Sequence, residues 1–290
     1  MTFTLENEQL FVKINRKGSE LVSLQSKKNG LEYLWQADPA VWSRHAPVLF
    51  PIVGKLRNNQ YKWQGQTYTL PQHGFARDQA FEVVEHTSES ITLVLKSNAE
   101  TQKVYPFHFE LRITHALVGN RVDITYQAIN QGESEMQFSI GAHPGFICPL
   151  LPNETFEDYY LEFDQPETLD RKVIENSLYN GQTEPFLQHA QTIPLHRSLF
   201  ERDAIVVTGY LSNTLTLKSN KSAHSVKVSF DGFPYLGIWT KDIHSPFICL
   251  EPWYGLADYS HSSGQLKDKE GMIALKPQEE FTGLHSIEIS

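Results

Sequence analysis

Alternation between apolar and polar residues is the feature of this sequence that most limits its fold. Residues 107–113 and 122–126 alternate in this way, and residues 118–120 between them (Val-Gly-Asn) are typical of a hairpin turn. Residues 91–95 and 226–230 are further strand candidates. A period of two places every second side chain on the same face of a strand. The pattern therefore predicts antiparallel strands that bury one face and expose the other.

Turn signals are frequent, and long helical stripes are missing. The clearest helix start is Asp38, with Pro39 at the first helical position, and it predicts one short helix. We expect loops in the polar, mixed segment from about residue 166 to residue 199. Turn-forming sequences occur at 28–30, 58–60, 131–133 and 231–232.

The length of the chain allows a large core. It has 290 residues, and no linker rich in Gly, Ser or Pro divides it. All-β sandwiches of this size can form one domain. We therefore predict an all-β fold with a single domain over residues 1–290, built from packed antiparallel sheets with few short helices.

Charge and hydropathy argue against several classes of partner. The formal net charge is -9, and the Lys and Arg residues do not cluster. Binding to nucleic acid or to an anionic membrane surface depends on such a cluster, so we expect neither. No stretch is long and apolar enough to span a bilayer. The oligomeric state stays open between a monomer and a homodimer.

The N-terminus and the two cysteines predict a cytoplasmic location. Residues 1–7 contain no basic segment followed by an apolar run, so we expect no secretory signal. Cys148 and Cys249 are the two cysteines of the chain. Without a signal they indicate a reducing compartment, where both are expected to be small buried apolar residues.

Two segments each place one ionisable side chain beside a proline, at the end of a strand-like apolar stretch. His143 lies in Gly-Ala-His-Pro-Gly-Phe at 141–146, and Glu251 follows the apolar run at 246–250. A carboxylate at the end of a buried strand is costly unless it is hydrogen-bonded, paired or solvated. A histidine and a glutamate also suit an acid–base pair near neutral pH. From the residues alone, a structural role for each stays open.

Two further segments contain candidate ligand-binding residues. Arg57 follows Pro-Ile-Val-Gly-Lys-Leu at 51–56, and its guanidinium suits sugar hydroxyls or a carboxylate. His73 precedes a glycine, where the backbone is free to bend toward a ligand. The alternatives are a solvated turn arginine and a structural histidine.

Motifs for metals and nucleotides are absent. The sequence has no His-Glu-x-x-His, no paired Cys-x-x-Cys, no EF-hand loop, no phosphate-cradling glycine-rich loop and no Rossmann fingerprint. His73, His143 and Glu251 have the donor types of a two-histidine, one-carboxylate site. No local spacing supports such a site, so we predict no metal and no cofactor.

Taken together, these segments resemble the aldose 1-epimerase, or galactose mutarotase-like, family. The resemblance rests on the order of four features: Arg57, His-Gly at 73–74, the segment 141–146, and Cys-Leu-Glu at 249–251. The sequence looks most similar to mutarotase-related proteins encoded with bacterial lactose and galactose genes. The resemblance implies a single β-supersandwich domain with an open groove for a small-molecule sugar.

The resemblance assigns the chemistry to two residues. Its catalytic acid falls on His143, and its catalytic base falls on Glu251. The implied reaction opens a pyranose hemiacetal and closes it as the other anomer, which takes one acid, one base and no cofactor. We expect the carboxylate to raise the pKa of His143 and to keep that ring charged near neutrality.

The resemblance also implies substrate contacts for four residues. Arg57 and His73 fall on sugar-contacting positions, and Asp203 is the candidate for an aspartate that grips sugar hydroxyls. The segment 73–77 (His-Gly-Phe-Ala-Arg) looks more like the branch that contains hexose-6-phosphate epimerases. In that branch an arginine at the position of Arg77 helps to bind the anionic sugar.

Several alternatives stay open from the sequence. Trp42 and Trp253 suit either a stacking face for the sugar or packing in the core. The protein could be a carbohydrate-binding protein without catalysis on the same fold, or a hexose-6-phosphate 1-epimerase. A glycoside hydrolase normally has two placed carboxylates, whereas these segments offer one carboxylate and a histidine.

Overall fold

Strands dominate the computed structural model, which describes residues 1–290. One α-helix, α1, spans Ala99–Val104, and short 3₁₀ turns lie at Arg57–Asn59, Ala76–Asp78, Phe156–Asp158, Arg197–Phe200 and Leu266–Asp268. The strands are β1 (Thr2–Glu6), β2 (Leu10–Asn15), β3 (Glu20–Ser26), β4 (Val48–Leu49), β5 (Gln60–Trp63), β6 (Gln66–Thr69), β7 (Glu82–His86), β8 (Ser90–Lys96), β9 (Phe109–Val118), β10 (Arg121–Asn130), β11 (Met136–Phe138), β12 (Gly141–Ala142), β13 (Gly145–Ile147), β14 (Tyr159–Glu175), β15 (Leu178–Pro194), β16 (Ile205–Thr208), β17 (Thr214–Ser219), β18 (Ser225–Ser229), β19 (Tyr235–Trp239), β20 (Phe247–Trp253), β21 (Ile273–Leu275) and β22 (Glu280–Ile289).

Most of these strands form one continuous sheet of 15 strands. Their order is β4-β12-β20-β19-β16-β14-β17-β18-β22-β10-β9-β8-β7, with β13 paired to β20 and β15 paired to β14. A second sheet contains β1, β2 and β3. Twisted sheets of more than about ten strands curl rather than stay flat. A core of 61 buried residues joins both sheets and runs from Leu5 to Ile289.

Period-two patterning predicts the strands correctly where it is regular. The hairpin of β9 and β10 turns at residues 119–120, as the sequence predicts. Along β10 every second residue, from Val122 to Asn130, is buried. The candidates at 91–95 and 226–230 lie within or beside β8 and β18. The all-β prediction is confirmed by these strands. Their apolar faces are buried because other layers of the fold cover them.

The loop prediction for residues 166–199 is wrong. This region contains the end of β14 and all of β15, a hairpin of two strands with 17 residues each. The register between these strands shifts at four places. Each shift changes which side chains face the core. The alternation is therefore broken in the sequence, although the chain stays extended.

The helix predictions also need correction. Asp38 behaves like a cap, since its Oδ1 accepts a hydrogen bond from the N–H of Ala40 at 2.9 Å. The chain forms a turn there and no helix. The α-helix that exists, α1, begins after Asn98, which forms a capping box with Thr101. No helix in the structure has the length and apolar character needed to cross a membrane.

Two histidines are buried in the sheet on either side of β10. His115 in β9 and His285 in β22 both pair with Ile124. Burial lowers the pKa of His115 to about 4 and the pKa of His285 to about 3. The neighbouring His115 lowers the pKa of His285 further. Both rings are therefore neutral in the folded protein near pH 7.

We expect this pair to make the folded state sensitive to acid. In the unfolded chain a histidine titrates near pH 6.5, so below that pH the unfolded chain binds protons that the folded chain does not. The contribution to stability is present above about pH 6.5 and is lost as the pH falls toward the folded values. Each histidine changes the free energy of unfolding by at most about 1.4 kcal/mol per pH unit. Urea unfolding at about pH 7, 6 and 5 measures this slope.

The double variant His115→Gln, His285→Gln provides the control. It should lose less stability per pH unit than the unmodified protein across the same range, because glutamine does not titrate. An identical slope in the two proteins would contradict the assignment of the acid sensitivity to these rings.

Candidate active site

Strand pairing brings His143 and Glu251 together. His143 lies between β12 and β13, and both strands pair with β20, which contains Glu251. The Nε2 atom of His143 lies 3.1 Å from Oε2 of Glu251. The side chain of Glu251 is 1% exposed and that of His143 is 10% exposed. The two residues that the resemblance singles out are therefore in contact, in a site almost closed to solvent.

Burial dominates the electrostatics of this pair. It lowers the pKa of His143 to about 3, with a further contribution from the charges of Arg77 and Arg44. It raises the pKa of Glu251 well above its usual range. The expected increase in the pKa of His143 is therefore wrong, because the loss of solvent disfavours the charged imidazolium. Burial therefore favours the neutral form of both groups.

A proton on the carboxyl of Glu251 would lie next to Nε2 of His143, although the 3.1 Å contact does not reach full hydrogen-bond geometry. Moving this proton from Glu251 to Nε2 of His143 creates an imidazolium and a carboxylate without changing the net charge. The Nδ1 atom of His143 is buried and faces only the carbonyl of its own residue, without good hydrogen-bond geometry. Whichever group holds the proton can act as an acid, and the other can act as a base.

Trp253 forms the surface beside Glu251. The indole N–H of Trp253 favours the ionised form of the Glu251 carboxyl, although it does not reach full hydrogen-bond geometry. The indole fits where Gly141 and Gly237 have no side chain, since a Cβ at either position would lie 2.6 Å from a ring atom. Trp253 is 6% exposed and mainly packs against the sheet.

Two other tryptophans enclose the ring of His143. Trp42 stacks on it, with ring centroids 5.0 Å apart and planes inclined by 29°. Trp239 meets it edge-on at 5.4 Å and 85°. The sequence pattern does not single out Trp239, which lies inside an ordinary apolar strand, β19. Only the pairing of β19 with β20 brings it to the site.

His73 lines the same cavity with a defined tautomer. Its Nδ1 accepts a hydrogen bond from the N–H of Gly54 at 3.1 Å, so the proton of the neutral ring lies on Nε2. Burial lowers the pKa of His73 well below its usual value. The backbone of His73 has φ 67°, which is unusual for a residue with a side chain. The Nε2 atom of this neutral ring lies 3.2 Å from the side-chain amide of Gln72, and the ring lies beside that of His143.

Two arginines add positive charge to the cavity. Nη2 of Arg77 donates to the carbonyl of Gln72 at 2.7 Å, while its Nε is buried without a hydrogen-bond partner. Arg44 and Nε of Arg77 both lie within ion-pair distance of Asp78, at 3.2 Å and 3.9 Å. Burial and the nearby Arg44 lower the pKa of Arg77 to about 10, so it stays charged at neutral pH. An arginine with a free donor suits an anionic or hydroxyl-rich ligand.

Asp203 and Arg57, the two remaining predicted substrate contacts, differ in their position relative to the cavity. Asp203 lines the cavity, and its charge contributes to the raised pKa of Glu251. Arg57 does not line the cavity, and its Nη1 donates to the carbonyl of Ser262 at 2.9 Å. A substrate contact for Arg57 stays a prediction. The chain enters a 3₁₀ turn at Arg57, which leaves Lys55 as the cationic residue of this segment in the cavity.

The tip of the β14–β15 hairpin completes the lining. Glu175 and Leu178 pair across a two-residue turn, Asn176-Ser177, in which both residues have positive φ. Lys172 anchors the tip by donating to the hydroxyl of Tyr259 at 2.9 Å. The cavity at this site has a volume of about 860 Å³. The residues that the hairpin contributes are Ile174, Ser177, Leu178 and Tyr179.

One set of side chains has the donors for a metal ion. A ring nitrogen of His143, the sulfur of Cys249 and a carboxylate oxygen of Glu251 lie within 4.8 Å of one another, and all three residues are buried. Burial raises the pKa of Cys249 well above its usual value, so its thiol would have to lose a proton to bind a metal. The third donor beside His143 and Glu251 is thus Cys249, and not His73 as in the two-histidine, one-carboxylate set suggested by the sequence.

Comparison with known proteins decides the family. The family model for aldose 1-epimerase matches residues 1–282 of the chain. The chain belongs to the aldose 1-epimerase family. The isomerase class that the resemblance implies is thereby confirmed.

Relatives within this family match the whole chain. The chromosomal protein LacX of Lactococcus lactis subsp. lactis is 40% identical over 286 residues, which cover 96% of this chain and 95% of LacX. A galactose mutarotase related enzyme from Lactobacillus acidophilus is 38% identical with a TM-score of 0.96, over 100% of this chain and 97% of that one. A galactose mutarotase-like protein from Lactobacillus casei is 32% identical with a TM-score of 0.95, over 100% of both chains. The galactose mutarotase-like fold is thus confirmed.

The contact between Gly237 and Trp253 gives a test of how tightly the site is packed. Gly237→Ala places a Cβ 2.6 Å from the indole and should displace Trp253 beside Glu251. We expect the free energy of unfolding to fall by about 1–3 kcal/mol. Urea unfolding and near-ultraviolet circular dichroism measure the loss and the movement of the indole.

Gly132→Ala is the matched control. A Cβ at Gly132 meets its nearest atom at 3.3 Å, and this glycine also has no positive φ. Its effect on stability should be small. Equal losses in the two variants would show that the indole contact is not the cause.

Proposed function

We propose that this protein interconverts the α and β anomers of a hexose, with His143 and Glu251 as the acid–base pair. The observation that carries the proposal is the 3.1 Å contact between these two groups, which are buried and line the cavity. Binding of a sugar alone does not require a matched acid and base. Ring opening of a hemiacetal requires both.

The reaction takes three steps at this pair. One group removes the proton of the anomeric hydroxyl while the other protonates the ring oxygen, and the bond between that oxygen and the anomeric carbon breaks. The open-chain aldehyde rotates about the bond between its first two carbons. The ring closes on the opposite face as both protons are returned, with acid and base exchanged. The resemblance assigns the acid to His143 and the base to Glu251, an arrangement reached by moving the shared proton to Nε2.

Other cavity residues support the binding of a hydroxyl-rich ring. His73 lines the cavity as a neutral imidazole, and the carboxylate of Asp203 is an acceptor. Asp203 has φ 98°, a conformation that costs energy for a residue with a side chain. A sugar held by such contacts would place its anomeric carbon against His143 and Glu251. Proton transfer then takes place within a positioned complex rather than by random collision.

The variants Glu251→Gln and His143→Asn test the pair. Each should fold and lower the rate of anomer interconversion by roughly a hundred- to ten-thousandfold, because each removes one proton-transfer group. Polarimetry or NMR of a freshly dissolved single anomer of galactose or glucose, corrected for the spontaneous rate, gives the measurement.

Glu167→Gln serves as the control for a buried carboxylate. Glu167 is 2% exposed, accepts hydrogen bonds from the backbone of Leu211 and Ser212, and does not line the cavity. It should leave the rate per folded molecule unchanged. Wild-type rates in Glu251→Gln or in His143→Asn would refute the assignment.

The cationic residues support an anionic sugar as a second candidate substrate. Arg44, Lys55, Arg77 and Lys241 line the cavity, and Arg77 has a buried Nε without a partner. A neutral hexose offers no negative charge to these groups. A hexose 6-phosphate would pair with them through charge-assisted hydrogen bonds, which are stronger than neutral ones.

Arg77→Ala distinguishes these substrates. It should raise KM for a hexose 6-phosphate by about ten- to a hundredfold, the usual cost of losing a charge-assisted hydrogen bond. KM for the free hexose should change far less. Arg112→Ala is the control, since Arg112 pairs with Glu110 and lies outside the cavity. If both substrates lose affinity equally, Arg77 is not a phosphate-binding residue.

The cytoplasm remains our proposal for the location of this protein. Cys148 and Cys249 are both buried and free, with no disulfide between them. Free thiols persist in reducing compartments. The cavity holds a sugar in this proposal without a partner chain, so a monomer and a homodimer are both compatible with it.

A further inference from the structure

We propose that Trp42 is a positioning residue for His143, the last indole of an aromatic stack that fixes the plane of the imidazole and stabilises the imidazolium formed during turnover. This inference rests on the proposed acid–base role of His143. It concerns a residue that neither contacts Glu251 nor exchanges a proton.

The stack connects the core to the site. Trp35 stacks on Phe247 with centroids 5.0 Å apart and planes inclined by 25°. Phe247 stacks on Trp42 at 5.2 Å and 13°, and Trp42 stacks on His143 at 5.0 Å and 29°. The indole N–H of Trp35 donates to the carbonyl of Trp42 at 2.8 Å. Trp35 and Phe247 are buried, so the stack is anchored at its inner end.

His143 needs this support because its second ring nitrogen lacks a strong partner. A working histidine is usually oriented by a hydrogen bond from the nitrogen that does not take part in the chemistry. Nδ1 of His143 has only its own backbone carbonyl nearby. The stacked ring of Trp42 and the perpendicular rings of Trp239 and His73 therefore determine the direction of Nε2.

The charges around His143 are a second reason why this ring needs the support of Trp42. Arg77 and Arg44 oppose a positive charge on this ring, and burial opposes it more strongly. The carboxyl of Glu251 is the one acidic group in contact with the ring, while His73 is neutral and the Cys249 thiol is protonated. An indole face attracts a cation, and the attraction grows when water is excluded. Trp42 thus favours the charge-separated state of the shared proton.

The stack also changes the role expected of Trp42. Two protein rings, Phe247 and His143, already stack on this indole. Trp42 is therefore less suited to serve as a free platform for a sugar. Its contribution should appear in the chemical step rather than in binding.

The kinetic test compares two substitutions at this position. Trp42→Leu removes the aromatic face and should lower kcat about tenfold while KM stays within about twofold. Trp42→Phe keeps a stacking ring and should retain kcat within about threefold. Trp63→Leu is the control, since Trp63 packs on Phe107 at 5.0 Å and lies outside the cavity. Circular dichroism confirms folding, and Trp42→Met replaces Trp42→Leu if the latter does not fold.

A second readout does not depend on turnover. In the full-length protein labelled with ¹⁵N-histidine, the ring of His143, assigned by its loss in His143→Asn, should show one sharp tautomer. In Trp42→Leu the same signals should broaden or move to the average of two tautomers. If the unmodified protein interconverts no anomer, the proposed function fails, and this spectrum still decides the role of Trp42.

Three results would overturn the inference. They are an unchanged kcat and ring spectrum in Trp42→Leu, a loss confined to KM, and a loss in Trp42→Phe equal to that in Trp42→Leu. The last would mean that the volume of the indole, rather than stacking, is what His143 requires.

Discussion

The removal of one histidine and one glutamate from water is the constraint that organises this site. Each group alone would be costly to bury in its charged form. Together they need only one proton between them, and the net charge is zero whether that proton lies on oxygen or on nitrogen. The charge-separated state costs more in desolvation, so neighbouring dipoles, rings and ligands decide how readily the pair reaches it. A pair of this kind is ready to give and accept a proton without any prior uptake from solvent.

The sheet supplies the rigidity that this pair requires. β20 pairs with β12, β13 and β19, so Glu251 lies on a fully buried strand with hydrogen-bonded neighbours. Glycines at 141 and 237 leave the space in which Trp253 packs beside the carboxyl. Side chains held by strands and by close packing are positioned more accurately than side chains on free loops. The interior of the fold and the chemistry of the site therefore depend on the same contacts.

The sequence predicts the fold class because regular alternation survives in strands such as β9 and β10. It fails at β14 and β15, where bulges interrupt the register, and at Asp38, where a local hydrogen bond forms a turn without a helix. His143 and Glu251 can be found from motifs, since proline and glycine mark the end of a strand. Trp239 cannot, because nothing in its strand distinguishes it from core packing. The direction of the pKa shift of His143 was also beyond the sequence, since it depends on the burial of the pair.

The β14–β15 hairpin has a consequence for how such a site can diversify. Its tip lines the cavity through Leu178 and Tyr179, yet it is an extension held by a two-residue turn and by Lys172. The acid–base pair lies on a different part of the sheet, on β20 and at the end of β12. Substitutions at Ser177 and Leu178 can reshape the cavity without moving the reacting groups, whereas Tyr179 is buried in one cluster with Trp253 beside Glu251. The fold thereby separates the residues that recognise the substrate from the residues that carry out the reaction. Substrate recognition can change while the chemistry is kept.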